Sequence, residues 1–269
     1  MNDLTPKVVR TSTLATFKSE GRKFSCLTSY DSITASIFDE AGIEVLLVGD
    51  SAADNALGYS TTLPITVDEM IPFGRAVASA AKRALVVVDL PFGSYETSPA
   101  DALATAIRVM KTTGAQAVKL EGGARSAEAI KTIVAAGIPV MGHVGFTPQS
   151  VHSLGGFKVQ GRGEGAAALL EEARAVEAAG AFAVVLELVP ADLASRISKA
   201  LTVPTIGIGA GTDCDAQVLV WTDMAGLTAN PPKLAKAYRN LRKELMGAAQ
   251  EFAEEVRSGK FPTESQTFH

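Results

Sequence analysis

The chain has 269 residues, of which 47% are hydrophobic and 20% charged, and this composition is typical of a globular protein with one large core. A net charge of −4 and the lack of a long Lys/Arg run argue against a nucleic-acid partner and favour a small molecule. No stretch reaches the roughly 20 apolar residues of a membrane helix, and residues 1–23 lack the apolar segment of a secretory signal, so we expect a soluble, cytoplasmic protein.

Along the chain, a glycine that ends a predicted helix is repeatedly followed by a short apolar run. Glycine suits the left-handed position after a last helical turn, and a continuous apolar run is typical of a parallel strand buried on both faces. Each junction therefore predicts a turn from helix to strand. The glycines, with the runs that follow them, are Gly42 (45–48), Gly114 (117–120), Gly137 (140–141) and Gly180 (183–186).

The segments before these glycines have the spacing of amphipathic helices. One start is marked by Ser98, a capping hydroxyl, with Pro99 at the first helical position and Asp101 in the first turn. The apolar side chains predicted to share a helix face are Ile33, Ile37, Phe38 and Ala41 before Gly42, and Leu103, Ile107 and Met110 before Gly114.

Further apolar runs at 24–28, 84–90, 204–208 and 217–221 bring the predicted strands to eight, most of them alternating with helices. Eight such units in this length favour an α/β fold of the closed (β/α)8 TIM-barrel class. The alternative is a doubly wound sheet, for which the glycine-rich segment Gly207–Gly211 is the best support. Its spacing differs from a dinucleotide fingerprint, and it comes late in the chain.

We expect residues 1–269 to form a single barrel domain with a short N-terminal extension and a loosely ordered tail after Ser258. The segment Lys233–Val256 is predicted to be an amphipathic helix that closes the barrel and packs on a neighbouring subunit. Its apolar stripe comprises Leu234, Tyr238, Leu241, Leu245, Ala248 and Phe252.

Polar residues follow nearly every predicted strand, at the barrel end where the chemistry of this fold lies. Buried carboxylates repel each other, so several of them at one mouth need a cation or shared protons. The residues at these strand ends are Thr28 and Ser29, Asp50 and Ser51, Asp89, Lys119 and Glu121, His143, Glu187, and the glycine loop 207–211.

Asp50, Asp89 and Glu121 offer hard oxygen ligands, which suit Mg²⁺ better than zinc. Alternatively, each acid caps a helix at a strand-to-helix turn. Lys119 lies within an apolar run, so its amine needs a polar partner, either a substrate or a structural carboxylate.

His143 is predicted either to contact a ligand or to be a satisfied core histidine. Glu187 interrupts an apolar run and is a candidate for a desolvated base or for a structural partner of a neighbouring loop.

Several ordered blocks of sequence identify a family. They are Leu27–Asp31, Val48–Ser51, Leu57–Tyr59, Thr62–Pro64, Asp89–Tyr95, Val118–Gly123, Gly142–Gln149, Gly155–Arg162, Leu186–Glu187 and Ile206–Gly211. In these blocks, which cover roughly Phe24 to Leu227, the chain resembles the ketopantoate (3-methyl-2-oxobutanoate) hydroxymethyltransferases of the pantothenate pathway.

The resemblance implies a transferase that moves a hydroxymethyl group from 5,10-methylenetetrahydrofolate to a 2-oxoacid, in a homo-oligomer that is commonly a decamer. It further implies that Asp50, Asp89 and Glu121 bind magnesium and that Glu187 is the proton acceptor. The 2-oxoacid contacts would be Asp50, Ser51, Asp89 and Lys119, with His143 as a further substrate-binding candidate at the same mouth.

The chain departs from the family pattern at three places. Ala52–Ala56 replaces a mostly apolar stretch beside the predicted metal site, which bears on substrate fit and metal affinity. Ala216 stands where the family's Cys-Asp-Gly-Gln block has glycine, and Leu234–Lys236 is all that matches a late Phe-Val-Lys signature. The last two changes bear on packing or folate contacts.

Two other functions remain open on the sequence. One is a different metal-dependent 2-oxoacid barrel enzyme of the phosphoenolpyruvate mutase and isocitrate lyase type, although the cysteine-bearing catalytic loop of those enzymes is not found here. The other is a non-catalytic ligand-binding barrel, for which the altered segment 52–56 is the one supporting feature.

Overall fold

Eight parallel strands form the centre of the molecule, and residues 8–269 are described by this computed structural model. The strands are β1 (Phe24–Thr28), β2 (Val45–Val48), β3 (Leu85–Asp89), β4 (Ala117–Glu121), β5 (Val140–Gly145), β6 (Ala183–Glu187), β7 (Thr205–Ile208) and β8 (Ala216–Leu219). Each pairs with the next along the chain, and β8 pairs with β1 to close the barrel.

The predicted (β/α)8 barrel is therefore confirmed, and each strand overlaps its predicted apolar run. The doubly wound sheet is excluded by the closure of β1 on β8. The segment Gly207–Gly211 ends β7 and leads to β8 without an intervening helix, so it is not a dinucleotide-binding turn.

The helices form as the glycine and capping signals predict. The αL glycines Gly42, Gly114, Gly137 and Gly180 have φ of +93°, +81°, +86° and +99°. The helices are α1 (Thr11–Ser19), α2 (Ser32–Glu40), α3 (Ala52–Asn55), α4 (Val67–Ala80), α5 (Pro99–Thr113), α6 (Ala127–Ala135), α7 (Gly165–Ala178), α8 (Ala191–Ala200), α9 (Trp221–Met224) and α10 (Leu241–Ser258).

In two helices, α2 and α5, some of the bulky side chains predicted to face the core are exposed. In α5, Ala102, Ala106 and Val109 are fully buried, whereas Ile107 is 41% exposed. In α2, likewise, Ile33 is 73% exposed. Alanine allows the α5 backbone to lie close to its neighbours, so Ile107 lies outside the buried face of that helix, and the predicted helix faces are only partly confirmed.

The N-terminal end of the barrel is closed by α1. Its Leu14 and Phe17 belong to one buried cluster with the first inward-facing residues of the strands, among them Phe24 and Val45. Phe17 lies with its ring centre 6.1 Å from that of Phe24. Burying these apolar groups fills the barrel and leaves its other end for polar side chains.

The chain divides into two compact units, the second comprising Val220–His269. In that unit the predicted helix from Lys233 is wrong at its start, because α10 begins only at Leu241. The Asn240 side chain accepts a hydrogen bond from the Lys243 N–H at 3.1 Å and caps the helix there. Leu234 and Tyr238 precede the helix, so the apolar stripe on α10 is shorter than predicted.

The remaining α10 stripe is exposed in the single chain, since Leu245 and Phe252 are 61% and 56% exposed. The packing of α10 on a neighbouring subunit, the single-domain boundary 1–269 and the loose tail after Ser258 stay predictions. Residues 1–7 of the expected N-terminal extension lie outside the described residues. Across residues 8–269 no helix has both the length and the apolar character that crossing a bilayer requires.

Candidate active site

The polar residues predicted at the strand ends meet at the C-terminal end of the barrel. The pairing register sets Asp89 beside Lys119, Glu121 beside His143, and Gly145 beside Glu187. Asp50 follows β2 after a single glycine. Parallel pairing thus brings residues that are far apart in sequence to one end of the barrel. Asp50 and Glu187, for example, are separated by 137 positions.

Asp89 accepts hydrogen bonds through both of its carboxylate oxygens. Lys119 donates to its Oδ1 at 2.7 Å, and the backbone N–H of Asp50 donates to its Oδ2 at 3.1 Å. All three residues are buried. The ion-pair partner expected for Lys119 is therefore Asp89, and this pair holds an ammonium group beside the other carboxylates.

Ser51 lies at the edge of the same group. Its hydroxyl is 2.8 Å from the hydroxyl of the buried Tyr30. A Cβ atom at Gly49 would lie 2.9 Å from the Ser51 Oγ and 3.5 Å from Asp89 Oδ2. Glycine at 49 therefore allows β2 to present Asp50 and Ser51 next to Asp89.

His143 lies between two carboxylates on neighbouring strands. Its Nδ1 is 3.3 Å from Glu121 Oε1, and its Nε2 is 3.3 Å from Glu187 Oε2. Neither contact meets hydrogen-bonding geometry, so these are close polar contacts. His143 is thus neither an isolated core histidine nor fully satisfied, and it links Glu121 to Glu187.

The backbone around Glu187 is tightly constrained. Leu188, the next residue, has φ of +48°, a left-handed conformation that costs energy for a leucine. Its N–H donates to Ile208 O and its carbonyl accepts from Gln160 N–H, both at 2.9 Å. A Cβ atom at Gly145 would lie 2.3 Å from Glu187 O. These contacts fix where the Glu187 side chain leaves the strand.

Two residues of the site were not among the predicted site residues, Tyr95 and Gln149. Gln149 is 5% exposed, and its amide donates to Asp50 Oδ2 at 2.9 Å. Tyr95 is 3% exposed and donates to Gln149 Oε1 at 2.5 Å. Both lie on loops beyond the strand ends, so reading only the first polar residue after each strand misses them.

Burial and mutual repulsion shift the proton affinities of the acids. Burial raises the pKa of Asp50 to about 8, and the charges of Asp89 and Glu121 add to the effect. Burial also raises the pKa of Glu121 to about 7, although Lys119 opposes this. Burial raises the pKa of Glu187 as well, and the interaction with His143 is the main effect that lowers it.

The two basic groups shift in opposite directions. Burial lowers the pKa of His143, and the positive charge of Lys119 lowers it further, which favours the neutral imidazole. Burial alone would lower the pKa of Lys119, but the surrounding acids, Asp89 first, outweigh it and raise that pKa. A charged Lys119 therefore faces several acids, and one ammonium cannot balance them all.

The three acids predicted to bind magnesium suit a cation by their chemistry and by one orphaned atom. Glu121 Oε1 is buried without a hydrogen-bond partner among the described residues. Across residues 8–269, however, no group of three or more His, Cys, Asp or Glu side chains forms a ready-made metal cage. Magnesium typically keeps several waters and binds through one or two carboxylates and the substrate, so the donors fit a partly hydrated ion.

The sequence profile described as Ketopantoate hydroxymethyltransferase matches residues 8–264 of this chain. The chain belongs to the ketopantoate hydroxymethyltransferase family. This confirms the family suggested by the sequence blocks and the predicted enzyme class, a hydroxymethyltransferase.

Curated relatives named 3-methyl-2-oxobutanoate hydroxymethyltransferase match nearly the whole chain. The protein of Leifsonia xyli subsp. xyli (strain CTCB07) is 62% identical over 264 residues, covering 98% of this chain and 95% of its own length. That of Acidothermus cellulolyticus (strain ATCC 43068 / DSM 8971 / 11B) is 60% identical over 264 residues, covering 98% of this chain and 97% of its own.

Solved structures of similar shape include a phosphonopyruvate hydrolase in complex with oxalate and Mg²⁺, with a TM-score of 0.62 and 13% identity over 97% of this chain and 92% of that one. A 2,3-dimethylmalate lyase of the PEP mutase/isocitrate lyase superfamily has a TM-score of 0.60 and 14% identity over 97% of this chain and 92% of that one. At such identities the likeness shows a shared barrel fold.

The family departure at 52–56 coincides with the short helix α3, directly after Ser51. Ala52 and Ala53 are fully buried there, and the Asn55 side chain donates to Ser51 O at 3.0 Å. The altered residues thus form a packed turn behind Ser51.

Proposed function

We propose that this chain transfers a hydroxymethyl group from 5,10-methylenetetrahydrofolate to 3-methyl-2-oxobutanoate, giving 2-dehydropantoate for pantothenate and coenzyme A biosynthesis. The observation that carries the proposal is a group of polar side chains at one barrel mouth, the half-buried Glu187 and the buried Asp50, Asp89, Lys119, Glu121 and His143. Membership of the family, over residues 8–264, supports the substrate pair.

Asp50, Asp89 and Glu121 would hold a divalent ion, which we propose to be Mg²⁺. When bound, the ion would withdraw electron density from the 2-oxoacid carbonyl and so acidify the neighbouring C–H. The excess of acids over the single ammonium of Lys119 supports this assignment, as does Glu121 Oε1, which makes no hydrogen bond with the described residues. The phosphonopyruvate hydrolase of the same fold, solved in complex with oxalate and Mg²⁺, gives a further reason to expect this ion.

Glu187 is the proposed base that takes the proton from C3 of 3-methyl-2-oxobutanoate. Its side chain is 12% exposed, against 3% for His143 and 1% for Glu121, so of these three it has the most access to a ligand. Its raised pKa strengthens it as a proton acceptor. His143, 3.3 Å away, would orient the carboxylate that receives the proton.

Asp50, Ser51, Asp89 and Lys119 are the proposed 2-oxoacid contacts, with His143 beside them. The ammonium of Lys119 and the hydroxyl of Ser51 would stabilise negative charge that develops on the carboxylate or the enolate oxygen of the substrate. Lys119 is held by Asp89 at 2.7 Å, so this positive charge is fixed before the substrate binds. The carbanion at C3 would then form a C–C bond to the methylene carbon of the folate as one of its two C–N bonds breaks. Water would displace the second nitrogen, supplying the hydroxyl of the product and a proton to tetrahydrofolate.

The proposed partners are these two small molecules and further copies of the chain. Exposed apolar side chains, among them Ile33 at 73%, Phe157 at 61% and Leu245 at 61%, support a homo-oligomer. The decamer follows from the family resemblance and stays a prediction, to be checked by light scattering of the purified protein.

Proton NMR of 3-methyl-2-oxobutanoate in D₂O tests the proposal. With the protein and Mg²⁺ we expect loss of the C3 proton signal, abolished by EDTA, and then formation of 2-dehydropantoate after formaldehyde and tetrahydrofolate are added. Exchange without product would contradict the folate step. A protein that exchanges nothing with any divalent ion would instead be a binding barrel or an enzyme for another 2-oxoacid.

A further inference from the structure

Gln149 connects two of the acids that the proposed function assigns to the cation. It lies in the turn Pro148–Ser150 after β5 and is 5% exposed. Its side-chain Nε2 donates to Asp50 Oδ2 at 2.9 Å, and its backbone N–H donates to Glu121 Oε2 at 3.0 Å. One residue therefore holds one oxygen of a carboxylate from the end of β2 and one oxygen of a carboxylate from β4.

The amide of Gln149 is fixed in one orientation. Its Nε2 also donates to the carbonyl oxygen of Leu90 at 3.1 Å, which can only accept. On the other side, Tyr95 donates to Oε1 at 2.5 Å, while the Tyr95 oxygen accepts from Glu121 N–H at 3.2 Å. A flipped amide would turn its oxygen toward the Asp50 carboxylate and the Leu90 carbonyl, so these two acceptors exclude the flip, and Tyr95 holds the amide oxygen on the opposite side.

The hydrogen bonds from Gln149 use only one of the two oxygens of each carboxylate. Glu121 Oε1 makes no hydrogen bond with the described residues, although His143 Nδ1 lies 3.3 Å away, and the bond from Gln149 to Asp50 uses Oδ2 and leaves Oδ1 outside this contact. Asp39, a buried acid elsewhere in the fold, differs in this respect. Its two oxygens accept from the backbone N–H groups of residues 82–84, so both are used in holding the chain.

We infer that Gln149 is a positioning residue, oriented by Tyr95, that fixes Asp50 and Glu121 so that each keeps one oxygen for a divalent cation. The inference rests on the proposed function for the presence of that cation. Its basis in the structure is the contact of Gln149 with one oxygen of each of these two acids, whereas Asp39 is held at both oxygens by backbone N–H groups.

Mg²⁺ binding to purified Gln149→Leu, measured by isothermal titration calorimetry without substrate, tests the inference. Loss of a partner that orients a metal-binding group typically weakens metal affinity by about 10–100-fold, and we expect this range. The matched control is Gln116→Leu, because Gln116 bonds β3 through Val86 N–H at 2.8 Å and precedes β4 at the other end of the barrel. It should bind Mg²⁺ like the native protein. An affinity in Gln149→Leu within about two-fold of native would overturn the inference.

Tyr95→Phe tests the same positioning with the loss of a single oxygen, and it serves alone if Gln149→Leu does not fold. We expect weaker Mg²⁺ binding than in the native protein. Where both variants fold, the double variant should bind about as weakly as Gln149→Leu, since the two side chains would act as one unit. Unchanged affinity in Tyr95→Phe, or fully additive losses, would contradict the role given to Tyr95.

A rate assay separates positioning from a general loss of structure. If Gln149 acts through the cation, raising the Mg²⁺ concentration should restore most of the hydroxymethyl transfer rate of Gln149→Leu. A rate that stays low at saturating Mg²⁺ would contradict this. The native protein tests the proposed function separately: Mg²⁺ binding without transfer would refute that function and still leave the calorimetric comparison of the variants interpretable.

Discussion

Charged side chains are paired differently at the two ends of the barrel. At the N-terminal end, Lys18 donates to Asp215 at 2.8 Å, and Asp215 also accepts from the N–H and hydroxyl of Thr205. At the C-terminal end, three buried acids share one ammonium, and Glu121 Oε1 makes no hydrogen bond with the described residues. Charges at the first end are balanced and hold the fold together. Those at the second end are unbalanced, which is the arrangement expected of a site that acts on a ligand.

Among the substitutions that probe this difference between the two ends, Glu187→Gln should have the largest effect. The amide cannot accept the C3 proton, so we expect exchange of 3-methyl-2-oxobutanoate with D₂O to slow by about 10²–10⁴-fold, the usual contribution of a general base. Proton NMR measures the rate, and unchanged Mg²⁺ binding serves as the control. Exchange at the native rate would show that another group is the base.

Asp89→Ala should damage both stability and metal binding. It leaves the buried ammonium of Lys119 without its 2.7 Å partner, and breaking a buried ion pair from one side costs about 3–5 kcal/mol. Urea denaturation measures the loss, and calorimetry should show weaker Mg²⁺ binding. Native Mg²⁺ affinity in this variant would refute the assignment of Asp89 to the cation.

Leu14→Ala probes the N-terminal end, where we expect an effect on stability alone. Leu14 is fully buried in α1, and truncating such a leucine costs about 2–5 kcal/mol of unfolding free energy. Its distance in the fold from the acids predicts an unchanged transfer rate per folded molecule. A lowered rate at full folding would mean that the two ends are coupled.

The pH dependence of the unfolding free energy should arise from the acids at the C-terminal end of the barrel. Asp50 and Glu121 have pKa values raised to about 8 and about 7 in the folded protein, so the folded state holds their protons more tightly than the unfolded chain does. Their stabilising effect is complete below the unfolded pKa values near 4 and is lost as pH rises through 7 and 8. In EDTA, the unfolding free energy should fall by on the order of 1 kcal/mol per pH unit between pH 5 and 7.

Urea denaturation in EDTA at several pH values measures this trend, and repeating the series with Mg²⁺ provides the comparison. A bound cation favours the ionised acids, so the decline should be smaller. Stability that rises from pH 5 to 7 in EDTA would contradict the assigned shifts.

Much of the fold and the site could be predicted because local chemistry specifies it. The αL glycines and the apolar runs fixed the alternation of helices and strands, and a strand-end rule for barrels selected Asp50, Asp89, Lys119 and Glu187. The helix faces were harder to predict, since α5 buries Ala102 and Ala106 and leaves Ile107 exposed. The start of α10 depends on the Asn240 cap. Gln149 was missed because its importance lies in contacts with residues 28 to 99 positions away.

The sequence by itself determined the family, the barrel class and the chemical identity of the acids, because these depend on residue type and on spacing along the chain. The tertiary structure decided how those acids are paired. Only closure of the barrel sets Lys119 against Asp89, places His143 between Glu121 and Glu187, and leaves Glu121 Oε1 without a hydrogen bond in the described chain. Such contacts depend on distances between side chains from different strands, and sequence spacing does not specify those distances.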